Sequence, residues 1–129
     1  MLYLTDTHSL IWFLTKDSNL SDKAKAIFLL AENRQAVILI PTIVLAELLF
    51  VCEKKKFQKG FSEFIEVIKN AQNFVLYNLD LEIIIECERL IRINEMHDRI
   101  IVATAKILNA VVITKDANIK ESGDVKIVW

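Results

Sequence analysis

Glycine and proline are almost missing from this chain, at two and one in 129 residues. Their scarcity excludes collagen-like and low-complexity architectures and leaves no composition for a flexible linker. A single domain over residues 1–129 with tight connections is expected. Cysteine is equally sparse. Cys52 and Cys87 form no CxxC pair and cannot build a disulfide framework or a zinc site, so they read as reduced core thiols. An excess of positive charge is missing too. Net charge is −1, so no global basic field draws in a polyanion, and any such substrate needs local positives or a metal. No basic leader precedes the strand-like LYLT at residues 2–5, and a cytoplasmic protein is expected.

A membrane-length apolar run is the last absence. The best candidate, AVILIPTIVLAELLFVC from Ala36 to Cys52, has seventeen residues and one charge, Glu47. A span needs roughly 20 apolar residues. This run carries Pro41 inside it and stops at Lys54, Lys55 and Lys56. It reads as two pieces. VILI is a strand covered on both faces, and Thr42 caps a helix, IVLAELLFVCEKKK, whose basic end suits the helix dipole. Glu47 then sits in the second helical turn, just past the strand's carboxyl end.

What is present is apolar residue type in alternating periods, at 53% of the chain. That is more than a small domain needs, and it suggests an interface with a second copy or another protein. LYLT, VILI, FVLYNL, VVIT and VKIVW read as strands. DTHSLIWFLT, LSDKAKAIFLLAEN with Ser21 as cap, residues 57–71, residues 81–94 and DRIIVATAKILNA read as helices by apolar spacing. Five short strands separated by helices imply an α/β fold with a mostly parallel sheet between helical layers. Ligands in such sheets collect at the carboxyl ends of the strands, near the point where strand order reverses.

Acids stand at those ends. Asp6 follows LYLT, Glu47 follows VILIPT, and Lys115 and Asp116 follow VVIT, while Asp98 begins the helix that feeds VVIT. Each has an ordinary use: Asp6 and Asp98 as helix caps or first-turn charges, Asp116 as a turn residue, Glu47 as a snorkelling helix acid. A parallel sheet would bring all four to one edge. Four crowded carboxylates repel and their pKa values rise, unless a divalent cation neutralises them. Oxygen-only ligands suit Mg²⁺ or Mn²⁺, and no His/Cys cluster competes for zinc. Such a site can polarise a phosphodiester and lower the pKa of a bound water.

LTDTHSLIW, PTIVLAEL, HDRIIVATA and VVITKD together resemble, in order and spacing, the four signature blocks of PIN domains. Among these the chain is most similar to the VapC-type toxin ribonucleases of prokaryotic toxin–antitoxin pairs, and the similarity covers nearly all of it. The resemblance implies a three-layer PIN fold and a catalytic, metal-binding set of Asp6, Glu47, Asp98 and Asp116 holding Mg²⁺ or Mn²⁺. It implies endonucleolytic hydrolysis of RNA, with water as nucleophile, inhibition by a small antitoxin, and a homodimer. Many members carry a further acid shortly after the fourth, where this chain has Asn118, so the number of ions stays open.

Other residues are secondary. Thr114 and Thr7 are candidates to hydrogen-bond a metal-bound water or phosphate, and Arg99 and His97, flanking Asp98, to touch RNA. His8 reads as a helix-face residue, Lys54–Lys56 with Lys59 as a solvated helix end or an RNA-backbone contact, and Trp12 and Phe13 as core or interface. Three rival functions remain: an RNA-processing nuclease without a toxin role, a non-cleaving binding module, and a haloacid-dehalogenase-like phosphatase with Asp6 as nucleophile. The last wants a second Asp two residues on, where this chain has His8.

Overall fold

Apolar β-branched runs become strands, and stripes of apolar residues become helices, in the computed structural model, which describes residues 1–129. The order is β1 (Leu2–Thr5), α1 (Thr7–Leu14), α2 (Asp22–Glu32), β2 (Val37–Pro41), α3 (Thr42–Lys54), α4 (Phe61–Asn70), β3 (Phe74–Tyr77), α5 (Leu81–Cys87), α6 (Met96–Leu108), β4 (Val111–Ile113), α7 (Ala117–Ser122) and β5 (Ile127–Val128). All strand pairs are parallel, in the order β3-β2-β1-β4-β5. The sheet lies between helices, the three-layer α/β arrangement that the alternation implies. No helix is long and apolar enough to cross a membrane.

Burial follows the sequence pattern. Ile38 and Ile40 in β2 are fully enclosed, because a central strand flanked by helices has no wet face. The larger core cluster joins Leu4, Leu10, Phe28, Ile40, Leu48, Ile68 and Ile113 from strands and helices far apart in sequence. Phe28 stacks on Phe13 at 4.4 Å between ring centroids. Burying each large side chain of this kind is worth about 1.5–3 kcal/mol. A smaller cluster binds α5, α6 and α7 through Ile83, Cys87, Ile100, Val102 and Ile119. Both cysteines are free thiols, Cys87 buried and Cys52 half-buried.

Some boundaries differ from the sequence reading. Thr42 is the first residue of α3 and Pro41 its cap; the Thr42 hydroxyl instead accepts the Leu79 amide at 3.3 Å. Proline at that junction already presets the backbone angle that starts a helix. Residues 57–60 are not helical. Gly60 caps α4, while Phe57 reaches Phe64 edge-on from outside the helix. The helix expected over 81–94 ends at Cys87, and successive turns carry the chain on, with i→i+3 bonds at Leu90 and Ile93. A repeat of three keeps Cys87, Leu90 and Ile93 on the buried side, which imitates helical spacing. α7 had no apolar stripe to announce it.

The reversal of strand order falls at β1, which pairs with β2 on one side and β4 on the other. The carboxyl ends of β1 and β4 are level, since Thr5 pairs with Ile113. Residues just beyond both strands therefore share one crevice.

Candidate active site

That crevice is a cleft of about 530 Å³ lined by Asp6, Glu47, Asp98 and Asp116, with Glu95 as a fifth acid and Lys115 opposite in sign. All four acids singled out from the sequence reach it.

Asp6 is the most enclosed, at 8% exposure. It caps α1: one carboxylate oxygen accepts the Ser9 amide at 2.9 Å, and the other accepts the Thr114 hydroxyl at 2.6 Å. Ser9 in turn donates its hydroxyl to the Ile113 carbonyl, tying α1 to the end of β4. Thr114 also accepts the Asp116 amide at 3.0 Å, so one hydroxyl links the acids after β1 and β4. Asp116 caps α7, and a single oxygen of its carboxylate takes the amides of Asn118 and Ile119. Glu47 comes from the second turn of α3 and accepts the Thr7 hydroxyl at 2.6 Å through one oxygen. The cap role and the site role thus coexist. Asp116 and Glu47 each use one oxygen for the fold and leave the other to the cleft.

Asp98 differs. It lies in the first turn of α6, where Glu95 rather than Asp98 is the cap and accepts the Asp98 amide at 2.8 Å. The Asp98 side chain itself takes no hydrogen bond from the protein. Partial burial, then the negative charges of Asp116, Glu95, Glu47 and Asp6, push its carboxyl up to about 6. Burial also pushes Glu95 up, but hydrogen bonds from His97 and the Asp98 amide outweigh it and hold that carboxyl below its usual value. The bond to Glu95 is the main reason His97 is raised.

No three His, Cys, Asp or Glu side chains stand close enough together to enclose an ion. The acids line one cleft without forming a tight cluster, and the charges of the others reach Asp98. The donor set is all oxygen, pre-oriented by Thr7, Thr114 and three helix starts, and fits Mg²⁺ or Mn²⁺ chemically.

Among the secondary candidates, Thr7 and Thr114 orient acids. Arg99 does not line the cleft, and its Nε donates to the Ile93 carbonyl. His8 and Trp12 line the cleft, with the Lys115 ammonium 5.9 Å from the Trp12 ring centroid. Glu95 was missed by the sequence reading. Its one signal was an acid three residues before Asp98 at a helix start, and glutamate is not among the favoured caps.

The family model described as PIN domain matches residues 3–124. No curated protein sequence matches the chain. Solved structures similar in fold include three toxin–antitoxin complexes. A chain of VapBC2 from Rickettsia felis, bound to a DNA fragment of its promoter, superposes with TM-score 0.76 at 19% identity, over 99% of this chain and 98% of that one. DNA-bound VapBC from Salmonella typhimurium gives 0.70 at 18%, over 99% and 98%. VapBC-1 from nontypeable Haemophilus influenzae gives 0.69 at 17%, over 99% and 97%.

Proposed function

The chain belongs to the PIN domain family, and on that premise we propose that it is a divalent-metal-dependent endoribonuclease, the toxin of a toxin–antitoxin pair. The observation that carries the reading is the gathering of Asp6, Glu47, Asp98 and Asp116 in one cleft at the reversal of strand order, where burial and then the neighbouring acids raise the Asp98 carboxyl. These four residues would hold Mg²⁺ or Mn²⁺. A bound ion of that kind supplies charge neutralisation, a polarised phosphodiester and a more acidic water.

The protein's own groups do the positioning. Thr114 donates to Asp6 and Thr7 to Glu47, bonds that would aim two of the proposed ligands before an ion binds. Asp98 is the acid whose charge is least compensated, and it gains most from a cation. Lys115 is the one amine lining the cleft and is placed to meet a phosphate that the acids alone would repel. Bases of single-stranded or looped RNA can be splayed into such a cleft, whereas paired ones cannot, so unpaired RNA is the proposed substrate.

A small antitoxin protein and a second copy of the chain are the proposed partners, acting in the cytoplasm. The solved complexes of similar fold support the first. Exposed apolar side chains on and beside α5, among them Leu81, Ile84, Ile85 and Ile91, support an apolar contact of some kind. Cleavage of varied RNAs by the purified protein with Mn²⁺ is the direct test. Activity should vanish in Asp98→Asn while the circular dichroism spectrum is kept. An inert parent protein that binds no metal would overturn the nuclease reading. A short reading frame beside the gene would separate a toxin from an RNA-processing nuclease.

A further inference from the structure

We propose that RNA held in the acid cleft continues over His8 and Trp12 onto Lys54 and Lys55, a binding track outside the four carboxylates. The inference rests on the ribonuclease reading above. His8 and Trp12 line the acid cleft and also a smaller hollow of about 150 Å³ whose wall includes Lys54 and Lys55. The two depressions therefore adjoin along a shared wall.

Charge reverses along it. The cleft has five acids and one lysine, while the hollow has two lysines and one acid, Asp17. Asp17 is already engaged by the backbone and side-chain amides of Asn19. Lys54, Lys55 and Lys56 are exposed, and none takes part in an ion pair. A strand with its scissile phosphate at the acids would place neighbouring phosphates on these free amines. A chain of net charge −1 needs such local positives to retain a polyanion.

The shared wall is aromatic. The His8 and Trp12 rings are 5.7 Å apart between centroids, and Trp12 is held edge-on by Trp129 at 5.8 Å. A half-buried, braced indole beside a phosphate-binding edge is a platform on which a base of any sequence can stack.

The test is steady-state cleavage of a single-stranded 12-nucleotide RNA by the full chain with Mn²⁺, from low to high KCl. Lys54→Gln/Lys55→Gln should raise KM roughly tenfold and flatten the dependence of log(kcat/KM) on log[KCl] by about 1.4, the slope of two lost phosphate contacts on a single strand. Trp12→Leu should raise KM on the same RNA, and Trp12→Phe should restore it. Trp12 also packs on the core, so the exposed lysines carry the test if Trp12→Leu does not fold. A parent enzyme that cleaves, beside a double-lysine variant of unchanged KM and slope, would overturn the track and leave the nuclease reading intact. The same holds if that variant keeps its RNA kinetics but loses binding of a protein inhibitor, since the surface would then be a protein-docking one. A parent enzyme that cleaves no RNA removes both.

Discussion

The corner where β1 meets β4 and the first turn of α6 both deliver an aspartate to the same cleft, yet they treat it in opposite ways. At the corner Asp6 is satisfied by the Ser9 amide and the Thr114 hydroxyl, and its charge helps to start α1. At α6 the Asp98 side chain receives no hydrogen bond, and partial burial, then neighbouring acids, push its carboxyl to about 6. The first acid is part of the fold. The second carries a charge that the fold does not compensate, and a proton or the proposed cation would relieve it. Two aspartates lining one cleft can therefore have opposite signs in stability.

Function should be where the two converge and the effect is largest. Asp98→Asn and Asp6→Asn should each lower RNA cleavage by roughly 10³-fold, as expected when charge stabilisation at a reacting phosphate is lost. Residual activity within tenfold of the parent for either one would break the proposed ligand set.

Cation binding should stabilise the protein next most strongly. Mn²⁺ at 100 times its Kd adds about 2.7 kcal/mol. Differential scanning calorimetry should show a rise in Tm for the parent and none for Asp98→Asn. A parent Tm that ignores millimolar Mn²⁺ would count against any ion here.

Removing the corner acid should cost stability even without metal. Asp6→Ala deletes a helix cap and leaves the Thr114 hydroxyl without its acceptor, a loss of about 2 kcal/mol in urea unfolding. An Asp6→Ala protein as stable as the parent would erase the distinction drawn between the two aspartates. Thr114→Val and Thr7→Val release an acid without removing it, and each should weaken Mn²⁺ binding about tenfold by isothermal calorimetry.

The smallest effect has the most telling sign. The folded-state value of Asp98 is raised, so the native chain binds its proton more tightly than the unfolded chain does. In metal-free protein the contribution of Asp98 to stability should fall as pH rises from about 4 through about 6, opposite in sign to that of Glu95, and the penalty should persist above that. Asp98→Asn lacks the group and should be the more stable protein at pH 7 in chelator, with the gap closing toward pH 4. A variant less stable than the parent at pH 7 would show that Asp98 is held by the fold after all.

Much of this was legible in residue order. The β-branched runs at VILI and VVIT announced buried strands, and the acids after LYLT, VILIPT and VVIT announced a shared edge. Helical ends were harder to read. Cys87, Leu90 and Ile93 repeat at threes whether the chain is an α-helix or a series of turns, and only the hydrogen bonds distinguish the two. Glu95 was hidden because its role is a cap, which depends on where the preceding chain stops. His8 read as a helix-face residue and Trp12 as core or interface, and nothing local told that both would border the cleft.

Residue order by itself determined the alternation of strand and helix, the parallel sheet and the four acids, because side-chain periodicity and residue type are local properties. Tertiary structure alone decided that β1 pairs with β4, that Thr114 reaches Asp6 across 108 positions, and that Asp98 is left without a partner. Those outcomes depend on the spatial arrangement of groups remote in sequence, because hydrogen bonding and charge repulsion act through distance, direction and burial.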